Sequence, residues 1–510
     1  MKKAKKNLFN KILLIFLISL LFKPVWLFNN GSLGQPGEDD LSYWLHAATL
    51  VYDFDLDYKT DYQVKTGVFD EKTNIPYHPP GAGYLSSPFV YLFSHFDSYE
   101  PDRLNPVGSF AYLGFFAASL FYFLLGIYLI SKTLKNKNHN FKKLLLFSAL
   151  VGTVAHYVTT RFLMSHAVEF FICSLIIYKF ETNKNNIFTS KTLFQLSSIF
   201  FLLSFTRPST FIYSLCLFGV YMRKEDIKLN NFLKAILSFV PFIVSHFYVS
   251  YILFDEPSIF HNVHVNLQEQ GFTEVTANFI IINSIKLLNL FFSSSMGIVW
   301  VIPIIFFGIL TIFLNKNKED FNNLISKLAL FLYFYGAIVV LIVWQGREIA
   351  YGQRLLIGLL PFCIVKISEY KTPRYFQYAF GFSTLASYIG YLYFYSSEIL
   401  TLRPGRTLWD TVVTFAGEKY FINLILELFS IENLIAILGK TIYSVNFFNF
   451  FSIEKIINQF SLSLYLSDQK LSEAKSFAES YSLISAEYLF TANLLIFSFC
   501  ILFVGILNKK

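Results

Sequence analysis

The chain has 510 residues, of which 54% are hydrophobic and 19% aromatic, whereas only 15% are charged. This composition, with a mean hydropathy of +0.49, excludes an ordinary soluble domain and predicts an integral membrane protein built from helices. The net charge of +8 comes from basic clusters between apolar stretches, which indicates membrane topology and excludes a nucleic-acid partner.

Twelve apolar segments are predicted to be transmembrane helices, because each approaches the length of about 20 residues that a helix needs to cross a bilayer. They comprise residues 12–28, 107–131, 144–160, 162–180, 188–206, 209–222, 232–254, 296–314, 324–344, 355–367, 375–395 and 489–507. The basic clusters fall on alternate loops, so the positive-inside rule predicts a cytoplasmic N-terminus and a multi-pass protein of the cytoplasmic membrane. The apolar segment 278–292 would break this alternation and is assigned to the outer surface or to a re-entrant position.

This topology divides the chain into three parts. Residues 1–395 form a transmembrane module whose first outer loop spans residues 29–106. Residues 396–482 form an outer-face segment to which the sequence assigns no role, and residues 483–510 contain the last span and a cytoplasmic tail.

The first outer loop opens with three acids, Glu38, Asp39 and Asp40, at the start of a segment with helical spacing of its apolar residues. This spacing predicts an amphipathic helix on the outer membrane surface, with its acids at the lipid–water boundary. The acids either act chemically or only cap the helix, and the pattern leaves both possibilities open. The following "DFDLD" is not a calcium loop, because Tyr58 stands where glycine is required, and it is predicted to be a solvated acidic turn.

Histidines recur near the predicted outer face. His78, in "YHPPGAGYLSSPF", belongs to a predicted rigid loop over a cavity, where it would bind substrate, ligate a metal or do neither. His166 and Glu169 lie one helical turn apart in "RFLMSHAVEFF", which is compatible with a mutual hydrogen bond or with lining a site. His261 and His264 share one helical face, but two histidines without a third ligand are weak evidence for a metal.

Four arginines lie at the outer ends of predicted spans, against the positive-inside tendency. They are Arg161, Arg207, Arg347 and Arg354. Any one could reach towards lipid headgroups, but four beside an acidic loop favour a bound anion. Arginine suits phosphate because its planar guanidinium stays charged and donates two parallel hydrogen bonds.

The layout of a basic N-terminus, one span and an outer loop that opens with an acidic pair resembles the C-type glycosyltransferases. These membrane enzymes include protein mannosyltransferases and the bacterial aminoarabinose transferases that modify lipid A. The resemblance continues in order to about residue 395, in the stretches "EDDLSYWLHAATLVYDFDLD", "HPPGAGYLSSPF", "RFLMSHAVEFF", "FTRP", "SSSMGIVWVIP" and "WQGREIAYGQRLLIGLLP". Many relatives carry Asp-Glu where this chain has Asp39 and Asp40, which leaves open which acid acts.

The resemblance implies an all-α membrane enzyme that moves a sugar from a polyprenyl-phosphate donor to a lipid, glycan or protein acceptor. Transfer would occur with inversion at the periplasmic, outer face. Asp39 is the expected base, followed by Asp40; the other residues expected to bind substrate are Arg354, Arg347, Glu38, His78, Arg161, His166 and Arg207. A divalent metal bound by the acids is left open, and the alternative functions are a lipid-linked-sugar flippase or transporter and a glycan polymerase or ligase.

Overall fold

The computed structural model of the protein describes ten main stretches of the chain and a few positions between 257 and 472. These stretches are residues 2–19, 38–58, 75–76, 78–134, 139–254, 297–314, 324–343, 353–370, 372–394 and 486–508. The segment 278–292 lies outside the described residues except for residue 291, and so does the outer segment 396–482 except for isolated positions.

The regular elements of the described residues are helices. In chain order they are α1 Lys2–Ser19, α2 Glu38–Tyr52, α3 Gly81–Ser94, α4 Phe110–Thr133, α5 His139–Leu150, α6 Thr153–Thr159, α7 His166–Thr182, α8 Ser190–Thr206, α9 Pro208–Ser214, α10 Leu217–Tyr221, α11 Leu229–Phe254, α12 Ile298–Val301, α13 Pro303–Leu314, α14 Leu324–Val343, α15 Leu360–Glu369, α16 Arg374–Phe394 and α17 Ala486–Asn508. Two short 3-10 helices cover Lys224–Asp226 and Arg354–Leu359. The prediction of an all-α protein is therefore confirmed for this part of the chain.

Local sequence explains where several helices begin. Ser109 caps α4, because its hydroxyl accepts a hydrogen bond from the backbone N–H of Tyr112 at 3.1 Å. Thr189 caps α8 in the same way through the N–H of Thr192. Pro208 ends the hydrogen-bond ladder of α8 and takes the first position of α9, where its missing N–H costs nothing.

Each predicted span overlaps one or two helices in the described residues. Three helical segments, Phe110–Thr133, Leu229–Leu253 and Glu487–Asn508, are long and apolar enough to cross a membrane by length and composition. Four shorter apolar helices accompany them, at Asn10–Ser19, Pro208–Tyr221, Pro303–Leu314 and Leu324–Val340. These helices are compatible with insertion into a membrane, while twelve crossings and their direction stay predictions.

The apolar helices divide into central and peripheral ones. In the most apolar window of α4, 72% of the residues are buried inside the protein, against 17% in that of α11. Helix α4 packs against α3, α7 and α17 at the centre of the core. Helix α11 instead exposes large side chains such as Phe232, Leu237 and Val244. An exposed surface this apolar is what a lipid-facing helix presents.

Residues 41–49 of α2 are buried inside the protein, which differs from the prediction of an amphipathic helix that lies on the outer membrane surface. Its polar residues Ser42, His46 and Thr49 are as fully buried as Trp44. The close approach of α3 explains this burial, because a Cβ at Gly83 would lie 2.6 Å from the carbonyl oxygen of Tyr43 and from Cβ of His46. The face that the sequence pattern directed outward is thus covered by a neighbouring helix.

The acids that follow α2 have structural contacts. Asp53 accepts two hydrogen bonds from Arg103, at 2.5 and 2.7 Å, so this part of the acidic turn is paired and not merely solvated. Asp97 accepts the backbone N–H groups of Phe110 and Ala111 at 2.7 and 2.9 Å, where a carboxylate favours the start of α4.

Candidate active site

Two consecutive carboxylates at the start of α2 lie beside two arginines that are distant in sequence. Asp40 is paired with Arg161, 121 residues further along the chain. Asp39 is paired with Arg354, 315 residues further along. The fold therefore joins the first turn of α2, the turn before α7 and the start of the 3-10 helix Arg354–Leu359 into one charged cluster.

Asp40 is completely buried and held by one arginine. Its Oδ2 accepts a hydrogen bond from Nε of Arg161 at 2.6 Å and lies 2.6 Å from Nη2 of the same guanidinium in an ion pair. Burial raises the pKa of Asp40 above its ordinary value, against the opposing effect of the guanidinium. Its Oδ1 is buried and has no hydrogen-bond partner in the part of the chain that the structure describes. None of this side chain is exposed, so the carboxyl is suited to holding Arg161.

Asp39 is the accessible acid, with 39% of its side chain exposed. Its Oδ2 accepts a hydrogen bond from Nη1 of Arg354 at 3.1 Å, and its Oδ1 lies 3.2 Å from Nε2 of His78. Burial raises the pKa of Asp39, but the hydrogen bond and charge of His78 and the charges of Arg354 and Arg161 outweigh it and hold the pKa well below its ordinary range. Asp39 is therefore an ionised carboxylate, and its low pKa makes it a weak base while these cations stay in contact with it.

A network of buried polar groups holds His78 against Asp39. The ring of His78 stacks on that of Tyr43, with centroids 4.9 Å apart and planes 5° from parallel. Its backbone N–H donates to Oγ of Ser42 at 2.9 Å, and its carbonyl oxygen accepts from Nε2 of His46 at 2.8 Å. Since Nε2 of His46 is thus a donor, its Nδ1 accepts from the hydroxyl of Tyr58 at 2.7 Å. Burial lowers the pKa of His46 to about 3, in keeping with a neutral ring.

Gly81, the first residue of α3, lets this helix begin close to the end of α8. A Cβ at Gly81 would lie 2.8 Å from the backbone carbonyl of Phe205 and from Oγ1 of Thr206. The start of α3 therefore lies against the residues that immediately precede Arg207. The prediction of a rigid loop over residues 77–89 is wrong from Gly81 onward, where the chain is helical.

A second polar cluster surrounds Glu169 in the first turn of α7. His166 and Glu169 are both buried, and Nδ1 of His166 lies 2.9 Å from Oε2 of Glu169. The predicted hydrogen bond between His166 and Glu169 is therefore confirmed. Thr210 donates a hydrogen bond to Oε1 of Glu169, and Nε of Arg207 lies 3.8 Å from its Oε2.

The two clusters are neighbours. The hydroxyl of Tyr43 accepts a hydrogen bond from Oγ of Ser165 at 3.3 Å, directly before His166. Burial raises the pKa of Tyr43, and the charges of Arg207, Asp39 and Arg354 also act on this hydroxyl. Tyr43 therefore connects the two clusters, since its ring stacks on His78 and its hydroxyl bonds the residue before His166.

Most of the predicted site residues come together. Asp39, His78 and Arg354 are in contact, Asp40 pairs with Arg161, and His166 and Arg207 meet at Glu169, as described above. Arg347 lies outside the described residues, as do His261, His264 and the side chain of Glu38, whose backbone begins α2. Sequence reasoning missed His46, Tyr43 and Thr210, whose spacing is that of ordinary helix residues.

No cluster of three or more histidine, cysteine, aspartate or glutamate side chains that could hold a metal ion occurs within the described stretches. The charges beside Asp39 and Asp40 are guanidinium groups, so a divalent cation between these acids would be repelled by Arg161 and Arg354. The chain matches no protein-family model, and no curated protein is significantly similar to it.

Proposed function

We propose that the protein is a C-type glycosyltransferase that moves a sugar from a polyprenyl-phosphate donor to a lipid, glycan or protein acceptor. The observation that carries the proposal is the partly exposed carboxylate of Asp39, 3.1 Å from the guanidinium of Arg354. A proton acceptor and a phosphate-binding cation in contact are the two groups that such a transfer needs.

Asp39 would accept the proton of the acceptor hydroxyl as that oxygen attacks the anomeric carbon. The bond from this carbon to the phosphate oxygen breaks as the new bond forms, so one direct displacement inverts the anomeric configuration. Arg354 would stabilise the negative charge that stays on the departing polyprenyl phosphate. Asp40 assists by fixing Arg161 beside the same site, and His78 orients the carboxylate of Asp39.

The charges along α7 support a site at the periplasmic face of the cytoplasmic membrane. Helix α7 has 17 residues, so its ends are about 25 Å apart. His166 and Glu169 lie at its first end, whereas Lys179 lies in its last turn and Lys184 follows it, paired with Glu181 at 2.8 Å and with Glu369 at 3.2 Å. The positive-inside rule favours the cytoplasm for this second, lysine-containing end.

The test is sugar transfer from a panel of radiolabelled polyprenyl-phosphate sugars by the purified full chain, mixed with membranes that supply acceptors. Asp39→Asn is compared with Asp55→Asn, which changes an exposed aspartate of the turn after α2. We expect transfer that is lost in Asp39→Asn and kept in Asp55→Asn. A parallel reaction with EDTA tests for a required divalent metal.

Unchanged transfer by Asp39→Asn would remove the proposed base. If no donor sugar is transferred while the donor lipid crosses the bilayer, the protein is a flippase or transporter instead. Transfer of preassembled glycan chains, without transfer of single sugars, would indicate a polymerase or ligase.

A further inference from the structure

Glu169 contacts each of the elements that carry the two arginines Arg207 and Arg354. It is fully buried in the first turn of α7. Its two carboxylate oxygens have different neighbours. Oε1 faces Thr210 of α9 and Gly358 of the 3-10 helix, whereas Oε2 faces His166 and Arg207, the latter at the junction of α8 and α9. A buried carboxylate with several partners at an enzyme-like site is a candidate for organising that site.

The first oxygen ties down the element that begins with Arg354. Oε1 accepts a hydrogen bond from the hydroxyl of Thr210, and Gly358 of the 3-10 helix packs directly beside it. Only glycine fits there, because a Cβ at this position would lie 2.5 Å from Cγ2 of Thr210 and 3.1 Å from Oε1 of Glu169. This contact fixes the 3-10 helix, whose first residue pairs with Asp39.

The second oxygen faces Arg207. Oε2 lies 2.9 Å from Nδ1 of His166 and 3.8 Å from Nε of Arg207. Nε of Arg207 is buried and makes no hydrogen bond to any described residue. The side chain of Arg207 is 14% exposed, so the ion pair restrains the guanidinium by charge while part of its surface stays accessible.

We propose that Glu169 is a positioning residue that holds Arg207 as a second cation for the donor phosphate, beside Arg354. This inference rests on the proposed function for the identity of the anion. Glu169 itself does not react. A buried ion pair kept only for stability would be unusual, because apolar residues of similar volume often serve as well or better.

The test is a double-mutant cycle read out by binding of undecaprenyl phosphate to the full chain in nanodiscs. Glu169→Gln keeps an oxygen that accepts the hydrogen bond from Thr210 but removes the charge that faces Arg207. We expect Glu169→Gln and Arg207→Gln each to weaken binding on the order of tenfold, as for loss of a charged hydrogen bond. The double variant should be no weaker than either single variant, whereas Glu169→Gln combined with Arg354→Gln should show multiplied losses.

Glu181→Gln is the matched control, because Glu181 lies near the other end of α7 and bonds the hydroxyl of Tyr221 at 2.7 Å; its binding should match the wild type. Thr210→Ser and Thr210→Val cover the case in which Glu169→Gln does not fold. Serine keeps the hydrogen bond to Glu169 and should bind normally, while valine should bind more weakly.

Multiplied losses for Glu169→Gln and Arg207→Gln would overturn the inference and leave the proposed function standing. The expected coupling in a wild-type protein that transfers no sugar would overturn the proposed function and keep the inference. A wild-type protein that does not bind undecaprenyl phosphate would overturn both.

Discussion

Arg161 forms an ion pair and a hydrogen bond with one oxygen of Asp40, and this contact gives two neighbouring acids different roles. Consecutive residues of a helix point in directions about 100° apart. Asp40 therefore points into the core towards Arg161, while Asp39 stays partly exposed between His78 and Arg354.

Asp40→Asn is expected to destabilise the protein, because it leaves the guanidinium of Arg161 without its charged partner. Breaking a buried ion pair in this way costs about 3–5 kcal/mol. The partly exposed Asp39 contributes no more than about 1 kcal/mol through its pairs, so Asp39→Asn should unfold close to the wild-type temperature while it loses transfer. Thermal unfolding in one detergent, with transfer assayed on the same samples, measures both. A larger loss of stability in Asp39→Asn than in Asp40→Asn would contradict this division.

Arg354→Gln is expected to lower kcat/KM for the donor by about 100-fold to 1000-fold, as for the loss of one group that stabilises developing negative charge. Arg354→Lys keeps a charge but loses the planar fork and should fall between Arg354→Gln and the wild type. Steady-state kinetics with a single donor lipid measure the effect.

The control for this series is Arg223→Gln, because Arg223 pairs with Asp226 at the 3-10 helix Lys224–Asp226 and not with the Asp39 cluster. Its kinetics should match the wild type. Equal losses in Arg223→Gln and Arg354→Gln would mean that the net charge of the protein, and not a contact of Arg354 with the donor phosphate, controls the rate.

The sequence predicts the helices and much of the charged cluster because both depend on simple patterns. Long apolar segments become helices whatever their neighbours are. Arg161 and Arg354 depart from the positive-inside pattern, and this departure identifies them as candidate site residues from the sequence alone. Their carboxylate partners are visible only in the structure.

Which acid is exposed could not be read from the sequence. The rotation of α2 about its own axis depends on the close approach at Gly83 and on the burial of Trp44, whose indole N–H donates to the carbonyl of Arg103 at 3.0 Å. His46 was missed for the same reason, because its importance comes from the backbone carbonyl of His78 and not from any motif.

His46 is expected to make the protein lose stability as the pH falls. Its pKa is about 3 in the fold, against an ordinary value of 6.5, so between these values the unfolded chain binds more protons than the folded one. Stability therefore rises with pH in this window and is lost as pH falls from about 6.5 towards 3, by up to about 1.4 kcal/mol per pH unit.

His46→Gln should remove this component, because glutamine does not titrate and its amide can still donate to the carbonyl of His78. Unfolding temperatures of both proteins at several pH values between about 7.5 and 5 give the difference. Other histidines titrate equally in the two proteins and cancel. Parallel pH profiles would show that His46 is protonated without strain in the fold.

Gly83→Ala is expected to destabilise the protein and to impair transfer, because α2 and α3 touch at this position. The new Cβ would lie 2.6 Å from the carbonyl oxygen of Tyr43 and 2.6 Å from Cβ of His46. Neither group can move freely, since Tyr43 stacks on His78 and His46 bonds the same residue. Overpacking of this kind costs about 1–3 kcal/mol, and the displacement of α2 would move Asp39 away from Arg354.

The matched control is Gly505→Ala on α17, where nothing described lies within 4 Å of the added Cβ and the helix gains about 0.5–1 kcal/mol. The unfolding temperature should therefore fall in Gly83→Ala and rise in Gly505→Ala. Donor kinetics should be impaired only in Gly83→Ala. Wild-type kinetics in Gly83→Ala would mean that the spacing of α2 and α3 does not set the position of Asp39.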